Sequence, residues 1–163
     1  MLKIGLLSDT HGFLHNSILG FFAGCDEIWH AGDWGNMEVY TKLSELKPIK
    51  GVWGNIDGQE LRILFPKITR FKVEDVEVLL THIGGYPNKY DINIKNELAL
   101  NPPKLFICGH SHILKVMYDK KLNLLHINPG AAGRYGFQNV STAVRFEINK
   151  DSIENLEVLE INI

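Results

Sequence analysis

Ile4-Gly5-Leu6-Leu7-Ser8-Asp9-Thr10-His11 is an apolar run closed by a carboxylate and an imidazole. The same order returns in Ile28-Trp29-His30-Ala31-Gly32-Asp33, Val52-Trp53-Gly54-Asn55, Val78-Leu79-Leu80-Thr81-His82 and Phe106-Ile107-Cys108-Gly109-His110-Ser111-His112. Each run has the length and aliphatic character of a buried strand. The first donors stand at 9, 33, 55, 82 and 110, so the steps are 24, 22, 27 and 28 residues. A strand, a crossover and the next parallel strand take about that length. Donors at the carboxyl ends of parallel strands converge on one crevice. The chain therefore reads as a binuclear metal site laid out along a parallel sheet.

The segments between the runs support this. Asn16–Phe22 and Met37–Leu46 carry apolar residues at helical spacing, stopped by Gly24 and Pro48. Strand, helix and strand in succession imply parallel pairing. Thr69–Val73 and Val76–Thr81 form a hairpin around Glu74-Asp75, and Tyr90–Leu100 reads as a helix ended by Pro102-Pro103. From Leu105 onward only strands are expected: Leu105–Cys108, Leu114–Tyr118, Leu122–Ile127, Thr142–Ile148 and Ile153–Ile161. Ten strands are many for one open sheet. The expected fold is an α/β (α+β) four-layer α-β-β-α sandwich of two mixed sheets flanked by helices, with residues 1–163 as one domain.

Composition narrows the partners. With 163 residues, 45% hydrophobic and 22% charged, the chain can bury a sizeable core. A net charge of -2 supplies no basic field for nucleic acid or acidic lipid, so any phosphate must be attracted by the site itself. Cys25 and Cys108 are read as free buried thiols, which together with the short apolar start and the lack of a membrane-length run suggests a cytoplasmic protein.

Asp9-Thr10-His11, Gly32-Asp33, Gly54-Asn55-Ile56-Asp57, His82 and Gly109-His110-Ser111-His112, in that order, resemble the motifs of the calcineurin-like metallophosphoesterases, in particular their small bacterial and archaeal phosphodiesterases. Ser111 stands where that family usually has Thr, and Ala131 replaces the Ser of its late Asn-Pro-Gly-Ser loop, here Asn128-Pro129-Gly130. The resemblance implies one metal held by Asp9, His11, Asp33 and His112, and a second held by Asp33, Asn55, His82 and His110, with Asp33 bridging. Carboxylate, amide and imidazole donors suit Mn²⁺, the ion expected here, and also Ni²⁺, Zn²⁺ or Fe. Two divalent ions and two carboxylates leave about +2 at the site, which accounts for phosphate binding by an acidic chain. The expected reaction is phosphoester hydrolysis by a hydroxide activated between the two metals, with Asn55 and His110 also acting catalytically.

By the same resemblance, the residue after Gly-Asn is in many larger relatives a histidine that protonates the leaving group. Here it is Ile56, which favours phosphodiesters or aryl esters over unactivated monoesters. Asp57 either orients an imidazole, His11 being the expected partner, or caps a turn before Gly58. His30 either supports the site or is a satisfied buried histidine. His15 reads as surface and His126 as structural, while Arg134, Tyr135, Tyr86, Tyr90 and Phe137 have no role assigned.

The expected partner is a small phosphodiester or aryl phosphoester, with no membrane and no strong nucleic-acid signal; a homo-oligomer is compatible with the sequence. The rival reading is a non-catalytic scaffold like the retromer subunit that shares the fold. All seven ligand positions are filled here, which favours catalysis.

Overall fold

The computed structural model describes residues 1–163. In chain order the elements are β1 (Leu2–Leu7), α1 (Asn16–Phe22), β2 (Glu27–His30), α2 (Met37–Leu46), β3 (Ile49–Gly51), α3 (Gln59–Leu64), β4 (Ile68–Val73), β5 (Val76–Thr81), β6 (Gly85–Tyr86), β7 (Lys89–Tyr90), α4 (Ile92–Leu100), β8 (Leu105–Ile107), β9 (Leu114–Asp119), β10 (Leu124–Pro129), β11 (Val140–Asn149) and β12 (Ser152–Asn162). The sheets run β12-β11-β1-β2-β3 and β4-β5-β8-β10-β9, with a separate β6-β7 ribbon. β1, β2 and β3 are parallel, as are β5, β8 and β10. The other pairs within the two large sheets are antiparallel, so both sheets are mixed.

Period-two alternation builds the layers. Ile4, Leu6, Val76, Val78, Leu80, Leu105, Ile107, Val144, Phe146 and Ile148 meet between the sheets in the main core. The alternate residues face outward: Leu7 and Ile28 pack with Ile18, Phe22, Val39 and Leu43 of α1 and α2. Leu79 and Phe106 pack with Ile94 and Leu98 of α4. This is the four-layer α-β-β-α arrangement. No helix is long and apolar enough to cross a membrane.

The β6-β7 ribbon has no counterpart in the sequence reading, several strand ends shift by one or two residues, and three further differences have a clear physical reason. Helix α3 is absent from that reading because it has six residues, of which only Leu61 is buried, too short for an apolar stripe to show. α4 starts at Ile92 rather than Tyr90, because the Asp91 side chain accepts the Asn93 N–H at 3.0 Å and caps the helix there. The step from Asn55 to His82 is not a simple crossover: it holds α3 and the antiparallel β4, and it carries the chain from the first sheet to the second. The crevice thus lies where the carboxyl ends of two parallel strand sets face each other, not along one sheet.

Candidate metal centre

The first sheet delivers Asp9 and His11 after β1, Asp33 after β2 and Asn55 after β3, and the second delivers His82 after β5 and His110 and His112 after β8. Five of these seven leave their strands in the left-handed region, with φ of 53° at Asp9, 46° at His11, 58° at Asp33, 72° at His110 and 64° at His112. A non-glycine residue there costs roughly 1 kcal/mol or more, so the conformation must be imposed by neighbours. The Asp9 and His11 N–H groups donate to Gly32 and Asp33 carbonyls at 3.0 and 3.1 Å, and the His110 N–H donates to Asp9 Oδ2 at 3.0 Å. Backbone crowding does the rest. A Cβ on Gly54 would lie 2.1 Å from Asp33 Oδ1, and one on Gly109 would lie 2.1 Å from Ser8 Oγ. Only glycine lets these loops close on the carboxylates.

The side chains converge as two groups, Asp9 with His11 and His112, and Asp33 with His82 and His110, each with one ligating atom per residue mutually within 4.8 Å. Asp9 Oδ1 lies 3.3 Å from His112 Nε2 and 3.7 Å from His11 Nε2. Asp33 Oδ2 lies between the groups, 3.4 Å from His11 Nε2 and 3.2 Å from His82 Nε2. Asn55 Oδ1 is 3.1 Å from His110 Nδ1. Asp9 Oδ1, His11 Nε2 and His82 Nε2 are buried without any hydrogen-bond partner. Orphaned polar atoms of this kind are costly unless something else satisfies them. Nitrogen and oxygen donors without thiolate fit a divalent cation of the Mn²⁺ to Zn²⁺ series.

The sequence matches the calcineurin-like phosphoesterase superfamily domain over residues 2–151. The chain belongs to that superfamily. It is 30% identical over 138 residues to a probable metallophosphoesterase of Methanothermobacter thermautotrophicus, covering 80% of this chain and 77% of the relative. It is 25% identical over 150 residues to a phosphodiesterase of Methanocaldococcus jannaschii, covering 82% of this chain and 86% of that one. Among solved structures, zinc-complexed Vps29 of Entamoeba histolytica superposes with a TM-score of 0.76 at 16% identity, covering 99% of both chains. At that identity the likeness is one of fold alone.

Charge in the phosphoesterase centre is set by opposing forces. Burial would raise the Asp9 carboxyl, but His11, His112, His82 and Ser8 outweigh it and hold it well below the usual carboxylate range. Asp33 is likewise lowered against its burial, by His82 and the Ile56 N–H. His82 is raised despite burial by Asp33 and Asp9, and His112 is raised chiefly by Asp9. His110 goes the other way, lowered by burial and by the neighbouring His82. The histidines thus favour the anionic carboxylates, and the carboxylates in turn favour the protonated forms of His82 and His112.

Residues around the centre fix its loops. Asp57 makes no hydrogen bond to His11, as one sequence reading had it; the other, a turn carboxylate before Gly58, is nearer, since the Asp57 N–H closes the turn on Gly54 O at 3.0 Å. Its carboxylate accepts the Gly54 N–H at 2.8 Å and the Gly35 N–H at 3.0 Å, clasping the Asn55 and Asp33 loops together. Asp57→Ala orphans both donors, with an expected loss of about 2–4 kcal/mol in urea unfolding. A loss well under ~1 kcal/mol would show that the clasp is dispensable.

His30 is wholly buried and stacked at 3.8 Å on Trp34. Its Nδ1 accepts the Gly32 N–H at 3.0 Å, leaving Nε2–H to donate to Thr10 Oγ1, also at 3.0 Å. Burial pushes its pKa down to about 3, so it is a neutral brace for the loops bearing Asp9 and Asp33. Asn128 gives the late Asn-Pro-Gly loop its use: Nδ2 donates to Gly109 O and Ser111 Oγ, both at 3.0 Å, and pins the His110–His112 segment.

Four further residues stand where the sequence assigned them no role or another place. Gln138, whose Oε1 lies 3.0 Å from His112 Nδ1, carried no signal, because only folding brings it there. His15 is half-buried, not surface, with Nε2 3.2 Å from Ser141 Oγ. Tyr135 and Phe137 stack on the imidazoles of His11 and His112 at 5.0 and 6.1 Å. Elsewhere His126 is buried beside Phe106, its pKa pushed down to about 4, and Cys25 and Cys108 are free and buried.

Proposed function

We propose that this phosphoesterase hydrolyses small phosphodiesters or aryl phosphoesters with two divalent ions, Mn²⁺ foremost and Ni²⁺, Zn²⁺ or Fe as alternatives. Asp9, His11, Asp33 and His112 would hold one ion, and Asp33, Asn55, His82 and His110 the other. The observation that carries this is Asp33 Oδ2, which stands within 3.4 Å of His11 and 3.2 Å of His82 between two groups of inward-facing orphaned donors. When bound, the ions would supply Lewis acidity, acidifying a shared water and withdrawing charge from the phosphoryl oxygens.

The chain's own groups supply position and polarity. Asn55 faces the open cleft that also contains His11, Asp33 and His110, where its amide can donate to a phosphoryl oxygen. An Nδ1–H of His110 donating to Asn55 Oδ1 keeps the amide oriented and leaves Nε2 its lone pair. Arg134, stacked 3.9 Å over the Phe13 ring, lines the same cleft and adds a fixed positive charge at its rim. Ile56 lines it too and has no proton to give. That selects substrates whose leaving group departs unaided.

The test is a reconstitution panel of bis(4-nitrophenyl) phosphate, 4-nitrophenyl phosphate and cyclic nucleotides, each with Mn²⁺, Ni²⁺ and Zn²⁺. Diester turnover exceeding monoester turnover is expected. No turnover in any combination would overturn the enzymatic reading in favour of a scaffold. Metal removal should also appear in stability. At metal concentrations ~1,000 times Kd the folded state gains about 4 kcal/mol. For a chain of this size a chelator should then lower Tm by roughly 8–16 °C in a calorimetric scan. An unchanged Tm would count against metals seated on the buried donors.

A further inference from the structure

We propose that a second, more enclosed cavity beside the centre seats a further phosphoryl group of the substrate, so that the preferred ligands carry two phosphates. This deepens the phosphoester reading and rests on it for the identity of the first phosphate. The cavity, about 520 Å³, shares Asn55 and His82 with the centre, so a ligand can span both. Its size is that of a site for a small organic ligand.

One wall is cationic. Arg62 sits over Trp53, its guanidinium carbon 4.0 Å from the ring centroid, and its Nε donates to the Asp57 carbonyl at 2.7 Å. Lys67 reaches the same ring, with Nζ 5.9 Å from the centroid. Both side chains line the cavity, and neither is among the protein's ion pairs. Surface cations usually find a carboxylate or point to open water; two held against one aromatic ring and lining one cavity are placed for an anion.

Arg62 spends Nε on the Asp57 carbonyl, leaving its terminal nitrogens to donate. A phosphoryl group fits better than a carboxylate here. Its two charges match two cations, and its three oxygens can be contacted from both sides. The lining carboxylate, Asp91, is engaged in capping α4 through Asn93. Ile68 and Ile83, also on the lining, offer an apolar seat for the carbon skeleton joining the two phosphates.

The experiment is calorimetric titration of the Mn²⁺-loaded protein with adenosine 3′,5′-bisphosphate, AMP and adenosine 3′-monophosphate. The bisphosphate should bind about tenfold tighter than either monophosphate, the ratio expected of one added charge-assisted contact pair. Arg62→Gln and Lys67→Gln should each reduce that ratio, and the double variant should bring it to about one. Because Arg62 also braces the Asp57 loop, Lys67→Gln provides the test free of that contact, and ratios within one protein cancel any general weakening. A wild-type ratio near one, or a ratio untouched by both variants, overturns the proposal. Turnover of bis(4-nitrophenyl) phosphate, followed on the same samples, reports separately on the hydrolytic reading, because the binding ratio does not depend on it.

Discussion

Asp33→Asn is expected to lower metal-dependent diester hydrolysis by about 10³-fold or more and to reduce bound metal from two ions per chain to one at most. The two carboxylate oxygens of Asp33 have different work. Oδ1 accepts the Ile56 N–H at 3.1 Å, and Oδ2 lies between His11 Nε2 and His82 Nε2. An asparagine has only one oxygen. If it stays on the Ile56 N–H, an NH₂ group points at the place where both cations would be held. If it flips, the NH₂ meets the Ile56 N–H, donor against donor. Either way the shared anion is gone. Metal assistance is worth several kcal/mol at a phosphoryl group, and about 4 kcal/mol is a thousandfold in rate. The measurement pairs initial rates with elemental analysis of bound metal, using the melting curve of the metal-free variant as the fold control. Two ions per chain with full turnover would show that Asp33 does not bridge.

Much of this centre was legible in the sequence because its donors lie at the ends of apolar runs, and strand ends are where the chain's period and its chemistry coincide. Val76–Thr81 and Met37–Leu46 were readable to the residue for the same reason: their apolar periodicity is bounded by clear stops. What stayed hidden depends on contacts between distant segments. Asp57 looked like a partner for an imidazole or a turn cap, and only the approach of the Gly35 loop to the Gly54 loop reveals a clasp. His30 left two readings open, and the structure joins them: it is buried and satisfied, and what satisfies it are the loops of the centre. The positive φ values at five ligand positions could not be foreseen either, since Asp and His carry no such obligation. Gly32, Gly54 and Gly109 were the available hint, as absent side chains beside the ligands.

Ile56→His is expected to raise turnover of an alkyl monoester relative to bis(4-nitrophenyl) phosphate by at least about tenfold, a part of the ~10²–10⁴ that a positioned general acid can supply. The site tolerates the change. Ile56 is exposed, 47% accessible, and lines the cleft with Asp33, Asn55 and Arg134, so an imidazole enters open space and not the core. Its link to the centre is through the backbone, since the Ile56 N–H donates to Asp33 Oδ1, and that bond survives any side-chain substitution. An imidazole there stands near the Arg134 guanidinium, which disfavours the imidazolium, so the gain should be greatest on the acid side of neutrality and fade as pH rises. The effect should also scale with leaving group. Aryl esters, whose oxyanions depart unaided, gain little, whereas alkyl esters gain most. Rates across a series of leaving-group pKa values would show a shallower slope for the variant than for the wild type. Parallel slopes with an unchanged monoester-to-diester ratio would mean that Ile56 does not occupy the leaving-group side of the cleft, and that substrate preference is set elsewhere in the cleft.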